Sequence, residues 1–189
     1  MQSMTHSPLV VIVVVTWNGL RDTLACLTAL RRLTYSHRRV VLVDNGSRDG
    51  TVAVVRRRFP EVYVIANATN AGYVRANNQG IAWGLDQGAD WLFLLNNDVV
   101  VLPDALSAMV DVGQTVADVG VVGGVMQRSL RPDILDLGGD LDFRWGQVWL
   151  RRYNPALNGR GWLAIDYVWG CTLMARREIF EQLGGLDAI

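Results

Sequence analysis

The sequence predicts an α/β domain built on a mostly parallel β-sheet with helices on both faces. The first observation is that short runs rich in valine and isoleucine alternate with segments whose apolar residues recur at helical spacing. The second is that 50% of the residues are hydrophobic and 19% are charged, which is typical of a chain with a buried core. The third is the length of 189 residues, which suits a single domain at about 150 residues per domain.

Five apolar runs have the length and the β-branched content of buried strands. These predicted strands are Leu9–Thr16, Val40–Asp44, Val62–Ala66, Trp91–Leu95 and Val119–Val125. Each of the first four is followed by polar residues and then by a segment of helical period. This order is typical of parallel strands joined by crossover helices.

Apolar residues at helical spacing predict a helix after each of the first four strands. In chain order, the apolar faces are formed by Leu20, Leu24, Leu27 and Leu30, by Val52, Val55 and Phe59, by the stretch Val74–Leu85, and by Leu106, Met109 and Val110. We expect Asp49 or Ser47 to cap the second helix and Pro60 to end it. Pro103 is expected to be the first residue of the fourth helix, a position where proline is favoured.

The pattern changes after Met126. Residues 127–161 mix glycine, tryptophan, arginine and aspartate without a regular period, so we expect short irregular strands and loops there. An apolar stretch, Ile165–Ala175, follows. The short helix predicted for Arg176–Leu183 is expected to end at the glycine pair 184–185.

Composition excludes several functions. Lys+Arg and Asp+Glu both number 18, so the chain lacks the basic excess of a nucleic-acid-binding protein. All positive side chains are arginine, which excludes Schiff-base lysine chemistry and a phosphate-loop lysine. The run Leu9–Val15 is far shorter than the ~18 residues of a membrane span and lacks the flanks of a signal peptide. Cys26 and Cys171 are expected to be buried free thiols in a reducing, cytosolic setting.

Polar residues follow four of the predicted strands directly. The clusters are Thr16–Asn18, Asp44–Ser47, Asn67–Gly72 and Asn96–Asp98. Each cluster alone has the composition of an ordinary turn. Ligands of open parallel sheets bind outside the carboxyl ends of the strands, where all four clusters are expected to meet. Their convergence predicts a binding site at this edge.

Five motifs carry a resemblance to a known family. The segments VVIVVVTWN, VLVDNGSRDGT, NATNAGYVRANNQGI, LFLLNNDVVV and GCTLMARREIFEQLGGLD resemble the successive motifs of family-two glycosyltransferases of the GT-A fold, rhamnosyltransferases among them. The resemblance implies transfer of a sugar from a UDP- or dTDP-sugar to a saccharide or lipid-linked acceptor, with inversion, in polysaccharide biosynthesis. It also implies a cytoplasmic location, with attachment at the inner membrane face left open.

The resemblance divides the single domain, residues 1–189, into two parts. Residues 9–126 correspond to the half that binds the nucleotide-sugar, and residues 127–189 to an incomplete acceptor-side half. Within the second part, Trp169 and Gly170 match the family's acceptor segment. The tryptophans of this part are equally typical of core and interface positions.

The resemblance assigns donor binding to residues in all four clusters and in the helix after the third. They are Thr16, Trp17, Asn18, Asp44, Ser47, Asn70, Arg75, Asn77, Asn96 and Asn97. Asp44 matches the family residue that accepts a hydrogen bond from the base, and an ionised carboxylate suits the imide NH of uracil or thymine. Arg75 either brings a fixed positive charge to the diphosphate or lies on a solvated helix face.

Asn96–Asp98 stands where the family carries its metal-binding Asp-x-Asp motif. Mg²⁺ or Mn²⁺ is held by one or two carboxylates together with the phosphates of the substrate. Asp98 supplies one carboxylate, whereas Asn96 offers only a neutral carbonyl or a hydrogen bond. We therefore expect a divalent cation that binds chiefly when the nucleotide is present.

The general base that the family places in a Glu-Asp pair beyond its GGLD-like motif has no counterpart, because no Glu-Asp pair occurs in the sequence. Three explanations stay open: the chain is a fragment of a longer enzyme, Asp187 or Asp166 substitutes, or the protein binds nucleotide-sugar without transferring it. We favour the first, and exposed apolar surface would then leave room for self-association. A sugar nucleotidyltransferase is a weaker alternative, since its glycine-rich opening loop is missing.

Overall fold

A computed structural model describes residues 7–128, 131–152 and 161–187. Strands and helices alternate through the first half, as the sequence predicts. The elements are β1 (Val10–Thr16), α1 (Leu20–Arg31), β2 (Arg38–Asp44), α2 (Thr51–Arg58), β3 (Tyr63–Ala66), α3 (Tyr73–Asp86), β4 (Trp91–Asn96), α4 (Ala105–Thr115), β5 (Val121–Gly123), β6 (Met126–Arg128), β7 (Arg131–Asp142), β8 (Gln147–Arg152), β9 (Thr172–Arg176) and α5 (Arg177–Leu183).

The central sheet has six strands in the order β3-β2-β1-β4-β9-β5. The first four are parallel, whereas β9 runs antiparallel to both β4 and β5. The predicted α/β class with a mostly parallel sheet is confirmed. The chain moves outward from β1 to β3 and then returns to place β4 on the other side of β1. This reversal opens a crevice between the ends of β1 and β4, where such sheets bind ligands.

The valine-rich strands are buried on both faces. Val10, Ile12 and Val14 point to one core, which is covered by α1, α2 and α4. Val11 and Val13 point to the other, which is covered by α3 and α5. Alternate side chains of a strand point to opposite faces, so an uninterrupted apolar strand requires helices on both sides.

Helix α3 packs closely against the sheet through a glycine. A β-carbon at Gly80 would overlap Cγ1 of Val13 on β1. A larger side chain would therefore push the helix away from the strand. Because α3 begins at the carboxyl edge of the sheet, this contact also fixes where its first turn lies.

Two sequence predictions for the fourth helix and fifth strand are wrong in detail. Helix α4 begins at Ala105, and Pro103 lies before it with its carbonyl accepting hydrogen bonds from the Thr34 amide and hydroxyl, at 2.8 and 3.0 Å. The predicted strand Val119–Val125 is reduced to β5, three residues at the edge of the sheet. The chain then leaves the sheet at Gly124, and β6 belongs to a second sheet.

Residues 126–152 are more regular than expected. Strands β6, β7 and β8 form an antiparallel three-stranded sheet in which β7 is 12 residues long. The sequence does not predict this sheet because glycines interrupt the alternation of apolar and polar residues that marks a strand. A β-carbon at Gly138 or Gly139 would collide with the segment around Tyr167. The predicted strands are present over the described part of this region, with register shifts between Gln127 and Arg128 and between Asp136 and Gly139, and β7 is longer than expected.

The last predicted helix is confirmed as α5, which ends at Gly184 in the left-handed conformation. Cys26 is buried and free, and Cys171 is half-buried and free. No helix in the described ranges combines the length and apolar character needed to cross a membrane.

Candidate functional site

The carboxyl ends of the four parallel strands lie side by side. Thr16 of β1 pairs in register with Asp44 of β2, and Asp44 with Ala66 of β3, while Val15 pairs with Asn96 of β4. The four polar clusters therefore meet at one edge. This convergence follows from the parallel register rather than from any local signal.

Asp44 lies at the floor of this edge, with a relative exposure of 1%. Its Oδ1 accepts a hydrogen bond from the amide of Ser47 at 2.9 Å. Its Oδ2 is buried and has no hydrogen-bond partner among the described residues. A buried carboxylate oxygen without a partner is costly, so this atom is suited to an NH donor brought by a ligand.

The loops after β1 and β2 are tied together by reciprocal hydrogen bonds. The amide of Asn18 donates to Oγ of Ser47, and the amide of Arg48 donates to Oδ1 of Asn18, both at 2.8 Å. Asn18 adopts a positive φ of 49°, which asparagine tolerates better than most residues. Trp17, between these loops and β1, is exposed with its ring open to a ligand.

Of the two predicted capping residues, Asp49 is the one that binds the start of α2. Its Oδ1 accepts hydrogen bonds from the amide and hydroxyl of Thr51, and its Oδ2 accepts one from the amide of Leu20 at the start of α1. Burial works against ionisation, but these hydrogen bonds outweigh it and lower the pKa of Asp49. The predicted alternative, Ser47, instead accepts from Asn18.

Asn45 was not singled out by the sequence, yet it organises the loop after β3. Its Nδ2 donates to Oδ1 of Asn70 at 2.7 Å and to the carbonyl of Gly72 at 3.3 Å. Its Oδ1 accepts from the amide of Ala71 at 2.8 Å and from Nδ2 of Asn67 at 3.2 Å. The available signal was its place directly after a buried strand, but asparagine is also an ordinary turn residue.

The side chains of Thr16 and Asn97 are hydrogen-bonded within the sheet edge. The hydroxyl of Thr16 is 2.8 Å from that of Thr23, and Nδ2 of Asn97 donates to both hydroxyls at 3.2 Å. These contacts join β1, α1 and the loop after β4. They hold the edge together, and the assignment of the two residues to the donor stays a prediction.

Asn96 is linked to the first turn of α3. The hydroxyl of Tyr73 donates to Oδ1 of Asn96 at 3.1 Å. Asn77 is buried, and its Nδ2 donates to the carbonyl of Tyr73 within the same helix at 2.9 Å. Arg75, in this first turn, is exposed, and its guanidinium forms no ion pair with the described residues.

Asp98 is exposed at the end of β4, and its carboxylate accepts no hydrogen bond from the part of the chain that the structure describes. It lies close enough to influence three neighbouring groups. Burial chiefly, and the charge of Asp98 in addition, raise the pKa of Cys26 to about 12. The pKa of Cys171 and of Tyr73 is likewise raised, chiefly by burial and to a smaller extent by Asp98.

The predicted acceptor segment lies against the end of β4. The amide of Asn96 donates to the carbonyl of Cys171 at 3.1 Å, and the amide of Thr172 donates to the carbonyl of Trp169 at 3.1 Å. Nothing lies within 4 Å of where a β-carbon on Gly170 would stand. Nε1 of Trp169 and Oγ1 of Thr172 are buried without a hydrogen-bond partner in the described ranges.

The two weak candidates for the general base differ in their surroundings. Oδ2 of Asp166 accepts a hydrogen bond from the amide of Leu141 at 2.8 Å, so this carboxylate fastens the loop to β7. Asp187 is exposed and follows Leu186, whose amide and carbonyl both bond to the side-chain amide of Asn78 on α3 at 2.8 Å. Asp187 therefore has a fixed position beside α3.

Within the residues described, no three His, Cys, Asp or Glu side chains come together as a metal cluster. A cation bound here would take most of its ligands from elsewhere. Asp98 has an open carboxylate at the rim of the crevice, which fits a cation shared with a diphosphate.

Comparison with known proteins identifies the family of the chain. The family model for "Glycosyl transferase family 2" matches residues 11–184, and the chain therefore belongs to this family. The mannosyltransferase PcManGT from Pyrobaculum calidifontis, solved in complex with GDP-Man and Mn²⁺, has the same fold with a TM-score of 0.67 at 19% identity, covering 97% of this chain and 48% of that one.

Two bacterial relatives are also similar in sequence. An N-acetylglucosaminyl-diphospho-decaprenol L-rhamnosyltransferase of Mycobacterium tuberculosis is 30% identical over a 173-residue alignment that covers 78% of this chain and 55% of that protein. An uncharacterized glycosyltransferase of Haemophilus influenzae is 31% identical over 101 residues, covering 53% of this chain and 33% of that protein. The chain thus spans about half the length of the mycobacterial relative.

Proposed function

We propose that this domain binds a UDP- or dTDP-sugar in the crevice between β1 and β4 and takes part in inverting transfer of the sugar to a saccharide or lipid-linked acceptor. The observation that carries the proposal is the buried, unpartnered Oδ2 of Asp44, at the end of β2 beside β1. An acceptor-only atom calls for an NH donor. Family membership makes the base of a sugar nucleotide the natural source of that donor.

A pyrimidine base fits this atom better than guanine. Oδ1 of Asp44 is already engaged with the amide of Ser47, so one oxygen is left. Uracil and thymine present a single imide NH, which one oxygen satisfies. Guanine presents two adjacent NH groups and would leave one of them without a partner at this atom.

The diphosphate is assigned to Arg75, in the first turn of α3, and to Asp98, just after β4. Arg75 lies in the first turn of α3, where unpaired backbone amides also favour an anion. Asp98 would hold Mg²⁺ or Mn²⁺, which when bound stabilises the charge on the departing nucleoside diphosphate. A single carboxylate holds such a cation weakly, so nucleotide and cation are expected to bind together.

The acceptor is assigned to the turn at Trp169 and Gly170, because this turn contacts the end of β4 beside Asp98. Inverting transfer requires a base for the acceptor hydroxyl. Asp166 is a poor base because its carboxylate fastens β7. Asp187 is open, and Asp187→Asn tests it directly: unchanged turnover in this variant assigns the base to another group.

The first experiment measures the melting temperature with UDP, dTDP, GDP, CDP and ADP, each with and without Mn²⁺. A ligand that binds only the folded protein raises the melting temperature. We expect UDP or dTDP to give the largest rise, and Mn²⁺ to increase it. Asp98→Asn should lose the Mn²⁺-dependent part, whereas the control Asp86→Asn, an exposed position at the far end of α3, should keep it. No rise with any nucleotide would refute the proposal.

The second experiment changes the base preference. Asp44→Asn leaves an oxygen for the Ser47 amide but turns the free atom into an NH donor. We expect binding of UDP and dTDP to fall by about tenfold or more, in line with the cost of an unmatched buried polar group. Binding of CDP should rise, because cytosine offers an acceptor at the same position. An unchanged order of nucleotides would place the base elsewhere.

Binding without transfer is the second candidate function, favoured by the engagement of Asp166. A transfer assay with UDP- and dTDP-sugars, run on this chain and on a longer version of it, separates the two. Nucleotide binding with no transfer by either version selects the binding function. Transfer by the longer version alone places the base outside residues 1–189.

A further inference from the structure

The hairpin of β7 and β8 presents two large aromatic side chains at its tip. Phe143 and Trp145 lie in the connecting turn with relative exposures of 87% and 72%. The turn itself is ordered, because Oδ1 of Asp142 accepts hydrogen bonds from the amides of Arg144 and Trp145 at 2.9 and 3.2 Å. We call residues 143–145 the hairpin tip.

The charge of the hairpin differs from that of the chain. Residues 141–152 contain three arginines and one aspartate, whereas the whole chain has zero net charge. At the tip, Asp142 is occupied by the two backbone amides, and the guanidinium of Arg144 has no ion-pair partner among the described residues. An arginine without an ion-pair partner in the described ranges therefore stands in sequence between two exposed aromatic residues.

The apolar exposure continues from the tip along β8 on both faces of the sheet. Val148 and Leu150 point to one face and Trp149 to the other, and all three are exposed. Strand β8 is also the edge of its sheet. A protein partner or a second copy of this chain would cover one face. A lipid surface surrounds the tip and accepts side chains that point in several directions.

We propose that the hairpin tip docks into the headgroup region of an anionic lipid bilayer. Aromatic side chains are favoured at the boundary between headgroups and acyl chains, and arginine is attracted to anionic phosphate. The unpaired backbone groups of β8 cannot enter the hydrocarbon core, so penetration stops at the tip. The docking uses no residue of the nucleotide site and goes beyond the proposed sugar transfer.

The test is co-sedimentation with vesicles of phosphatidylcholine alone and of phosphatidylcholine mixed with phosphatidylglycerol. We expect binding to the mixed vesicles that weakens with added salt, and much less binding to phosphatidylcholine alone. Replacing both tip aromatics, Phe143→Ser with Trp145→Ser, should reduce binding by about tenfold or more because the inserted apolar area is lost. Arg144→Gln should remove the preference for anionic vesicles.

The control is Leu183→Ser on α5, which removes an apolar side chain of 71% exposure away from the hairpin. This variant should bind vesicles like the unchanged chain. Every variant is also checked for its melting temperature and for nucleotide binding without vesicles, so a failure of lipid docking is separate from a failure of the nucleotide site.

Three results would overturn the proposal. The first is no binding to either kind of vesicle. The second is equal loss of binding in the tip variants and in Leu183→Ser. The third is a dimer in sedimentation velocity that the tip substitutions dissociate, because the tip would then serve a second copy of the chain.

Discussion

The two sides of the sheet edge satisfy their polar groups in different ways. On the side of β1, β2 and β3, reciprocal hydrogen bonds centred on Asn45, Ser47 and Asp49 hold every loop. On the side of β4 and β9, Nε1 of Trp169 and Oγ1 of Thr172 are buried without partners among the described residues. Buried polar groups are normally paired, so the first side is organised in advance except at Oδ2 of Asp44, which has no partner among the described residues. Both sides therefore retain capacity for a ligand, the first at this one atom and the second at Trp169 and Thr172.

The largest expected effect comes from removing Asn45. Asn45→Ala should lower the free energy of unfolding by about 3 kcal/mol, because the buried side chain of Asn45 gives up its hydrogen bonds to Asn70, Ala71 and Gly72, each worth about 1 kcal/mol. Urea unfolding measures the change. Asn67→Ala, which removes one contact to Asn45 and two exposed hydrogen bonds with Gln79, is the control and should cost less than half as much, because water replaces the exposed bonds. Equal costs would mean that Asn45 does not organise the loop.

A matched pair of substitutions tests the contrast between the two sides directly. Thr16→Val removes a hydroxyl bonded to Thr23 and Asn97 and should destabilise the fold by about 1–2 kcal/mol. Thr172→Val removes an unpartnered buried hydroxyl and should stabilise the fold by about 1 kcal/mol. The measurement is the free energy of unfolding without ligand. Destabilisation by both substitutions would show that both hydroxyls are satisfied, and stabilisation by both would show that neither is; either result contradicts the contrast.

The smallest expected effect is a pH dependence on the organised side. Hydrogen bonds lower the pKa of Asp49 in the folded state, so its ionised form is favoured by folding. This contribution is fully present above the unfolded pKa of about 3.9 and is lost as the pH falls through the lower folded value.

Asp49→Asn should therefore be less stable than the unchanged chain at pH 7, and the difference should shrink below about pH 4. Because Asp49 is exposed, the effect is small, and urea unfolding at several pH values is needed to measure it. Asp86→Asn serves as the comparison. If the difference stayed constant with pH, Asp49 would stabilise the fold through the geometry of its hydrogen bonds and not through its negative charge.

Much of this fold was predictable because it depends on local pattern. The strands β1 to β4 and the helices α1 to α4 follow from apolar runs and helical spacing, and the polar clusters follow from where those runs end. The ordered sheet of β6, β7 and β8 was not predictable, because glycines at 138 and 139 interrupt the alternation that marks a strand. These glycines let the segment around Tyr167 approach β7 closely, and that contact forms only in the folded chain.

The candidate site shows the same limit at the level of single residues. Asp44, Asn70 and Asp98 are predicted site residues because they follow strands and match family motifs. Asn45 is not among them, and the sequence gives no sign that the side chains of Thr16 and Asn97, also predicted for the donor, bond to each other and to Thr23. A motif specifies which side chains reach an edge. It does not specify which of them are already paired.

By itself, the sequence determined the layered α/β architecture, the edge at which polar residues gather, and the family. Only the tertiary structure decided that β9 inserts antiparallel between β4 and β5, which of the polar groups at the edge are already paired, and that the β7–β8 hairpin exposes aromatic side chains at its tip and apolar side chains on both faces. The physical reason is the separation of the interacting residues along the sequence. Strand and helix patterns depend on residues that are close in sequence, whereas sheet order and hydrogen-bond pairing join residues that are far apart in sequence.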